Sequence, residues 1–94
     1  MVQLWKDEEF AVTDEVYQEA IQSKKNGKTI SRSDVLRNCS DRLSNREKGS
    51  INAHLGNLTA ARAELGLDTL EEIAPFANRP VKLIRFLKLK YKLA

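Results

Sequence analysis

Residue types that carry chemistry are few in this chain. Its single cysteine, Cys39, and single histidine, His54, leave a zinc site short of soft ligands. No His-Glu-x-x-His, glycine-rich phosphate loop or nucleophile elbow occurs. Cys39 falls on the apolar stripe of a short amphipathic segment and reads as a small core residue, since a catalytic thiolate needs a basic, exposed setting. His54 lies at the edge of another apolar face and reads as a packed or rim histidine. The adjacent acids Glu8-Glu9 and Glu71-Glu72 sit at presumed helix starts, where the helix dipole accounts for them without a reaction. The expectation is therefore no enzyme within these residues, and no metal or other cofactor.

What remains is charge. Ninety-four residues, 41% hydrophobic and 31% charged, suffice for one globular domain. The net charge of +3 is unevenly distributed: residues 1–23 sum to −5, 24–62 to +6, 63–77 to −4 and 78–94 to +6. If the two basic segments meet in space they make one cationic face suited to nucleic acid, although solvated helix faces produce similar blocks. No apolar run is long enough to span a membrane, and the start MVQLWKDEEF lacks the basic and apolar regions of a signal peptide. The chain reads as cytoplasmic.

Four elements must position these groups. Glu8 to Gln22 is amphipathic at helical spacing, with Phe10, Val16, Tyr17, Ala20 and Ile21 on one side and Asn26-Gly27 as a stop. Trp5 precedes it as an anchor that folds back. Ser31-Arg32-Ser33-Asp34 is a capping box opening a short second helix that buries Val35, Leu36, Cys39 and Leu43. A third helix runs from about Lys48 to Leu65, its apolar stripe being Ile51, Leu55, Leu58 and Leu65, with Gly66 as its stop. Its opposite side is small, through Ala53, Gly56, Asn57, Ala60 and Ala63, so that a neighbouring element or a nucleic-acid groove can approach closely. Residues 68–73 suggest a helical turn. Pro80 opens a last helix over Val81–Leu93, although the tail from Lys88 alternates with period two and leaves a terminal strand as an alternative. The fold class is all-α, a small bundle of four to five helices with a central helix-turn-helix.

Trp5-Lys6-Asp7-Glu8-Glu9 and Arg46-Glu47-Lys48-Gly49-Ser50-Ile51 resemble the Trp-x-x-Glu-Glu and Arg-Ser/Thr-x-x-x-Ile/Val signatures of Myb/SANT-like helix-turn-helix domains. With Asn57-Leu58-Thr59-Ala60 and Glu64-Leu65-Gly66, the stretch Arg46 to Gly66 is similar to the N-terminal module found ahead of HNH-type nuclease domains in prokaryotic restriction-like proteins. The similarity continues through Ile73, Pro75, Asn78 and Leu83. Two departures stand out: Glu47 replaces a Ser or Thr cap, and the Gly-Tyr before the proline is absent. The resemblance implies that Lys48, Gly49, Ser50, Asn52 and Ala53 face a DNA groove. Asn52 would pair with adenine, and Lys48 or Arg46 would contact guanine or phosphate. Asn57 belongs to the motif either as a contact or as a partner for loop backbone after Gly66. Arg42, Lys28 and Arg32 are candidate phosphate clamps, as are Lys82, Arg85, Lys88 and Lys92 on the last helix.

The functional expectation is double-stranded DNA binding, as the targeting module of a restriction or defence nuclease, in a stand-alone relative or the first domain of a longer protein. A protein-interaction module using the acidic face of the first helix, with Glu15 and Glu19, is the alternative. A small phage- or plasmid-borne regulator or inhibitor is a third.

Overall fold

The acidic first turn and basic last turn bound helix α1, Asp7–Lys25, in a computed structural model that describes residues 4–93. Glu9 closes its start: Oε1 accepts from the Lys6 backbone N–H at 2.9 Å, satisfying one of the donors a helix leaves unpaired at its beginning. Gly27 closes its end at φ +88°, a left-handed conformation that costs glycine little.

Helix α2, Arg32–Arg42, begins with the capping box read from the sequence. Ser31 Oγ accepts from the Asp34 N–H at 3.1 Å, and Asp34 Oδ2 accepts from the Ser31 N–H at 3.2 Å. A turn through residues 43–47 leads to α3, Lys48–Glu64. Its cap residue, Glu47, makes no capping hydrogen bond, so the departure from the family pattern leaves the first N–H groups of α3 without a side-chain partner. Gly66, at φ +75°, ends the helix, and the Leu67 N–H donates back to Arg62 O at 2.9 Å.

Residues 67–80 differ from expectation. In place of a helix, residues 68–73 hold one hydrogen-bonded turn, closed by the Ile73 N–H donating to Leu70 O at 3.1 Å. Leu70 and Ile73 are both buried, and the Leu70 N–H donates to the Tyr17 hydroxyl at 2.8 Å. Tertiary anchoring of two residues so close to Pro75 overrides a weak local preference for helix.

The last element is helix α4, Val81–Lys90, which disposes of the terminal strand. It is shorter than the expected 81–93, and Pro80 precedes its first turn rather than occupying it. Lys92 takes φ +54° and the Leu93 N–H folds back to Lys88 O at 2.8 Å. Helix continuation yields here to the side chains of Lys90 and Tyr91, both of which reach an acid on α1.

The result is an all-α bundle of four helices with no strand among the described residues. Helices α1 and α3 each pack against both α2 and α4. Phe10, Tyr17, Val35, Leu55, Leu58, Leu83 and Leu87 are buried as the pattern predicts, while Trp5 and Leu36 pack at the edge of the core. Cys39 is fully buried, and burial pushes its thiol up to about 12, so no thiolate is offered to solvent. No helix among the described residues is long and apolar enough to cross a membrane.

One polar cluster crosses this core. Asp14 is wholly buried and accepts from Arg62 Nη1, from Lys90 Nζ, and from the Tyr91 hydroxyl at 2.6 Å. Arg62, 1% exposed, also donates to Gln18 Oε1 and to Asp68 O, each at 2.7 Å, and lies over the Tyr17 ring at 4.9 Å. Every helix but α2 contributes to it. A buried carboxylate so fully bonded is stable in place, but removing one partner strands the other charge.

Candidate nucleic-acid interface

Helical spacing arranges the first turns of α3 into three tracks. Gly49 and Ala53, one turn apart and exposed, form the middle. On one side Asn52 meets α2, where Arg32 Nε donates to Asn52 Oδ1 at 2.8 Å and Nη2 reaches the Asn52 carbonyl at 3.5 Å. On the other side Ser50 and Asn57 meet α4, sharing with Lys82 and Pro80 a cavity of about 370 Å³ floored by Trp5, Phe10 and His54. Lys48 is exposed at the helix start. The first turns of α3 thus carry Lys48, Gly49, Ser50, Asn52, Ala53 and Asn57, with Arg32 of α2 bonded to Asn52 and Lys82 of α4 lining, together with Ser50, Ala53 and Asn57, the open cavity that forms a trough beside α3.

Three aromatic rings pack together in the lining of this cavity. The Trp5 and His54 rings stack with centroids 4.1 Å apart and planes within 14°, and Phe10 lies nearly parallel to both, its centroid 5.5 Å from His54 and 6.4 Å from Trp5. The Thr13 hydroxyl lies 3.1 Å from Phe10 O and 2.8 Å from His54 Nε2, with which it shares a buried hydrogen bond. Burial, with the charge of Arg46 adding to it, pulls the pKa of His54 down to about 4.

Arg46 is placed differently from the base- or phosphate-contacting role the resemblance implies. Its side chain is 6% exposed. Nε and Nη2 donate to the two oxygens of Glu9 at 2.7 Å each, Nη2 also reaches Leu4 O at 2.7 Å, and the guanidinium lies 4.5 Å above the Trp5 ring. These bonds from Arg46 hold the Glu9 carboxyl down at about 2. The Trp-x-x-Glu-Glu and Arg ends of the two signatures thus meet each other: Trp5 packs against both Arg46 and His54, and Glu9 ties the start of α1 to the turn before α3.

Ion pairing sorts the remaining cations. Lys24 meets Glu71 and Glu72, Lys25 meets Asp68, Arg37 meets Asp34, and Arg79 meets Glu64. Arg42, a candidate clamp, faces Glu15 and Glu19 at 3.4 and 3.6 Å, at the end of α2 opposite Arg32. Lys28, Lys48, Lys82, Arg85, Lys88 and Lys92 are exposed and make no ion pair among the described residues. Arg85 and Lys88 follow Lys82 along the outer side of α4. Lys28, in the turn after α1, and Lys92, beyond α4, share no hydrogen bond or cavity with the α3 residues.

The small side of α3 is divided between two uses. At Gly56 a Cβ would lie 2.6 Å from Phe76 Cδ1, and the Phe76 N–H donates to Gly56 O at 3.1 Å, so the protein's own irregular segment covers this part. At Gly49 a Cβ would meet nothing within 4 Å. Asn57 does not serve the loop after Gly66; that backbone is held by Arg62 and Tyr17 instead.

The sequence reading missed Glu9, Asp14, Thr13 and Arg62. Only Glu9 carried a signal, as the second acid of the Trp-x-x-Glu-Glu pattern. Among the described residues no group of three His, Cys, Asp or Glu side chains could hold a metal ion. Set against family models, curated proteins and solved structures, the chain matches none.

Proposed function

We propose that this domain binds duplex DNA with the trough of α3 and the outer side of α4. The observation that carries this reading is the sorting of charge. Lys24, Lys25, Arg37, Arg42 and Arg79 are paired with carboxylates of the chain itself, whereas Lys48, Lys82, Arg85 and Lys88, on α3 and α4, have no such partner among the described residues, as Lys6, Lys28 and Lys92 elsewhere also have none. Phosphate contacts need cations that are not already paired, and a reading helix needs small residues where it approaches a groove. Gly49 and Ala53 supply the second condition. The helix, turn, helix order of α2 and α3 agrees with a reader whose second helix enters the major groove by its first residues. The family resemblance supports a targeting role for a defence nuclease within this reading. For a protein-docking reading the acids of interest, Glu15 and Glu19, are already engaged by Arg42.

The test is a fluorescence anisotropy titration of a mixed-sequence duplex at several salt concentrations. The affinity should fall linearly on logarithmic axes with a slope of about −0.9 per phosphate neutralised. Absence of salt-dependent binding at low ionic strength overturns the proposal.

A further inference from the structure

The cavity beside α3 measures about 370 Å³, and at about 30 Å³ per water molecule it has room for about a dozen waters or an organic molecule of about ten heavy atoms. Leu4, Trp5, Phe10, Ala53 and Pro80 make most of its lining apolar, and Leu4, 76% exposed, stands there with most of its surface in water. No carboxylate lines it. Its one cation is Lys82, which makes no ion pair among the described residues. Ser50 and Asn57 add a hydroxyl and an amide, and neither side chain makes a hydrogen bond among the described residues.

His54 adds a ring nitrogen. The residue is only 4% exposed, and its Nε2 is engaged by the Thr13 hydroxyl at 2.8 Å. Nδ1 has no partner, yet no side-chain N or O atom shut away from solvent lacks one among the described residues, so Nδ1 keeps contact with solvent. The opening that His54 lines is this cavity. An apolar cavity in which a few polar groups converge is the form that small-molecule sites take.

We propose that this cavity binds a small organic anion, a single carboxylate on an aromatic body, with the ring against Trp5 and Phe10 and the carboxylate toward Lys82 and Asn57. One cation matches one negative charge, while a sugar or a phosphate ester would turn further oxygens onto apolar wall and lose their hydration uncompensated. An aromatic body finds rings to pack against. Lys82 also borders a neighbouring cavity that Glu8 and Glu9 line, and it is paired with neither acid, so its charge is available to a ligand. Binding of this kind is independent of the duplex reading, and no nucleic acid enters its test.

Trp5 is the only tryptophan of the chain, so its indole N–H gives a single resonance at the site. The experiment titrates the full nitrogen-15-labelled chain at neutral pH with three probes that share a phenyl body: phenylacetate, its neutral analogue 2-phenylacetamide and the cation 2-phenylethylamine. Phenylacetate should shift the Trp5 resonance to saturation and bind about fivefold more tightly than the amide, the scale of one exposed ion pair, with the amine weakest. Lys82→Met should bring phenylacetate down to the affinity of the amide and leave the amide unchanged, a difference that loss of packing alone does not produce. Ala53→Phe, which fills the cavity from an exposed helix position, should abolish the response to phenylacetate. Should Ala53→Phe fail to fold, the wild-type and Lys82→Met titrations still decide. A Trp5 resonance that no probe moves, equal affinity of the wild type for acid and amide, or a phenylacetate response that survives in folded Ala53→Phe overturns the proposal.

Discussion

The ring of Phe76 rests on the backbone of Gly56, so closely that a Cβ on α3 would fall 2.6 Å from Cδ1 and 2.7 Å from Cγ of the ring. A clash with Cγ cannot be relieved by the far end of the side chain moving alone. Gly56→Ala should therefore destabilise the fold by about 1–2 kcal/mol through overpacking. In a Phe76→Ala background the same substitution should stabilise by up to about 1 kcal/mol, because alanine is the better helix former. Urea denaturation of the four chains in this cycle checks the reversal of sign; additive effects would mean that the ring does not press on the helix.

Asp14 has three partners and no access to solvent. Asp14→Asn should cost about 3–5 kcal/mol of unfolding free energy, because Arg62 then stays buried with its charge uncompensated. Tyr91→Phe, which removes one hydrogen bond and no charge, should cost about 1 kcal/mol. Denaturant midpoints measure both, and equal losses would contradict the buried charge as the source of the difference.

Stability should fall in acid in two separable stages. His54 has its pKa lowered from 6.5 to about 4 in the fold, so the unfolded chain takes up the proton first as the pH drops. The contribution of the neutral ring is whole above pH 6.5 and is lost between pH 6.5 and 4, amounting to about 3 kcal/mol. Glu9, lowered from 4.5 to about 2, contributes stability that is present above 4.5 and lost as the pH falls toward 2. His54→Gln should flatten the first stage and leave the second. Thermal midpoints from pH 7 to 2 test this, and an unchanged first stage would assign it to another group.

Cations of the trough and of the pairs should behave differently toward DNA. Lys82→Ala and Arg85→Ala should each reduce the salt slope by about 0.9, whereas Arg42→Ala, which leaves Glu15 and Glu19 without their partner, should not. Arg46→Gln should lower stability through Glu9 and Trp5 with the salt slope kept. Anisotropy titrations across a salt series separate these cases.

Features settled by neighbours in sequence were legible there. The Ser31–Asp34 box, the stops at Gly27 and Gly66 and the buried faces of α1 to α4 follow from spacings of two to seven residues, the range over which caps and periodicity act. Residues 67–80 were not legible, because Leu70 is anchored by Tyr17 from across the chain. The same holds for the candidate site. That α3 offers Gly49 and Ala53 was visible, but the partner of each polar residue was not. Arg46 and Arg32 each stand within two residues of a helix start, yet one meets Glu9 and Trp5 and the other meets Asn52. Which partner wins is decided by packing of α1 and α2 against α3, a long-range fact that no local pattern encodes.

The cluster at Asp14 also sets an order of events. Its partners arrive from positions 48, 76 and 77 residues further along the chain. During synthesis α1, α2 and α3 can all emerge while that carboxylate has Arg62 alone and still lacks Lys90 and Tyr91, and an acid only partly satisfied resists burial. The network around Asp14 is therefore complete only when the end of α4 has left the ribosome. A nascent chain halted at Pro80 would hold helices that are formed but not locked, with Asp14 waiting for two of its three partners.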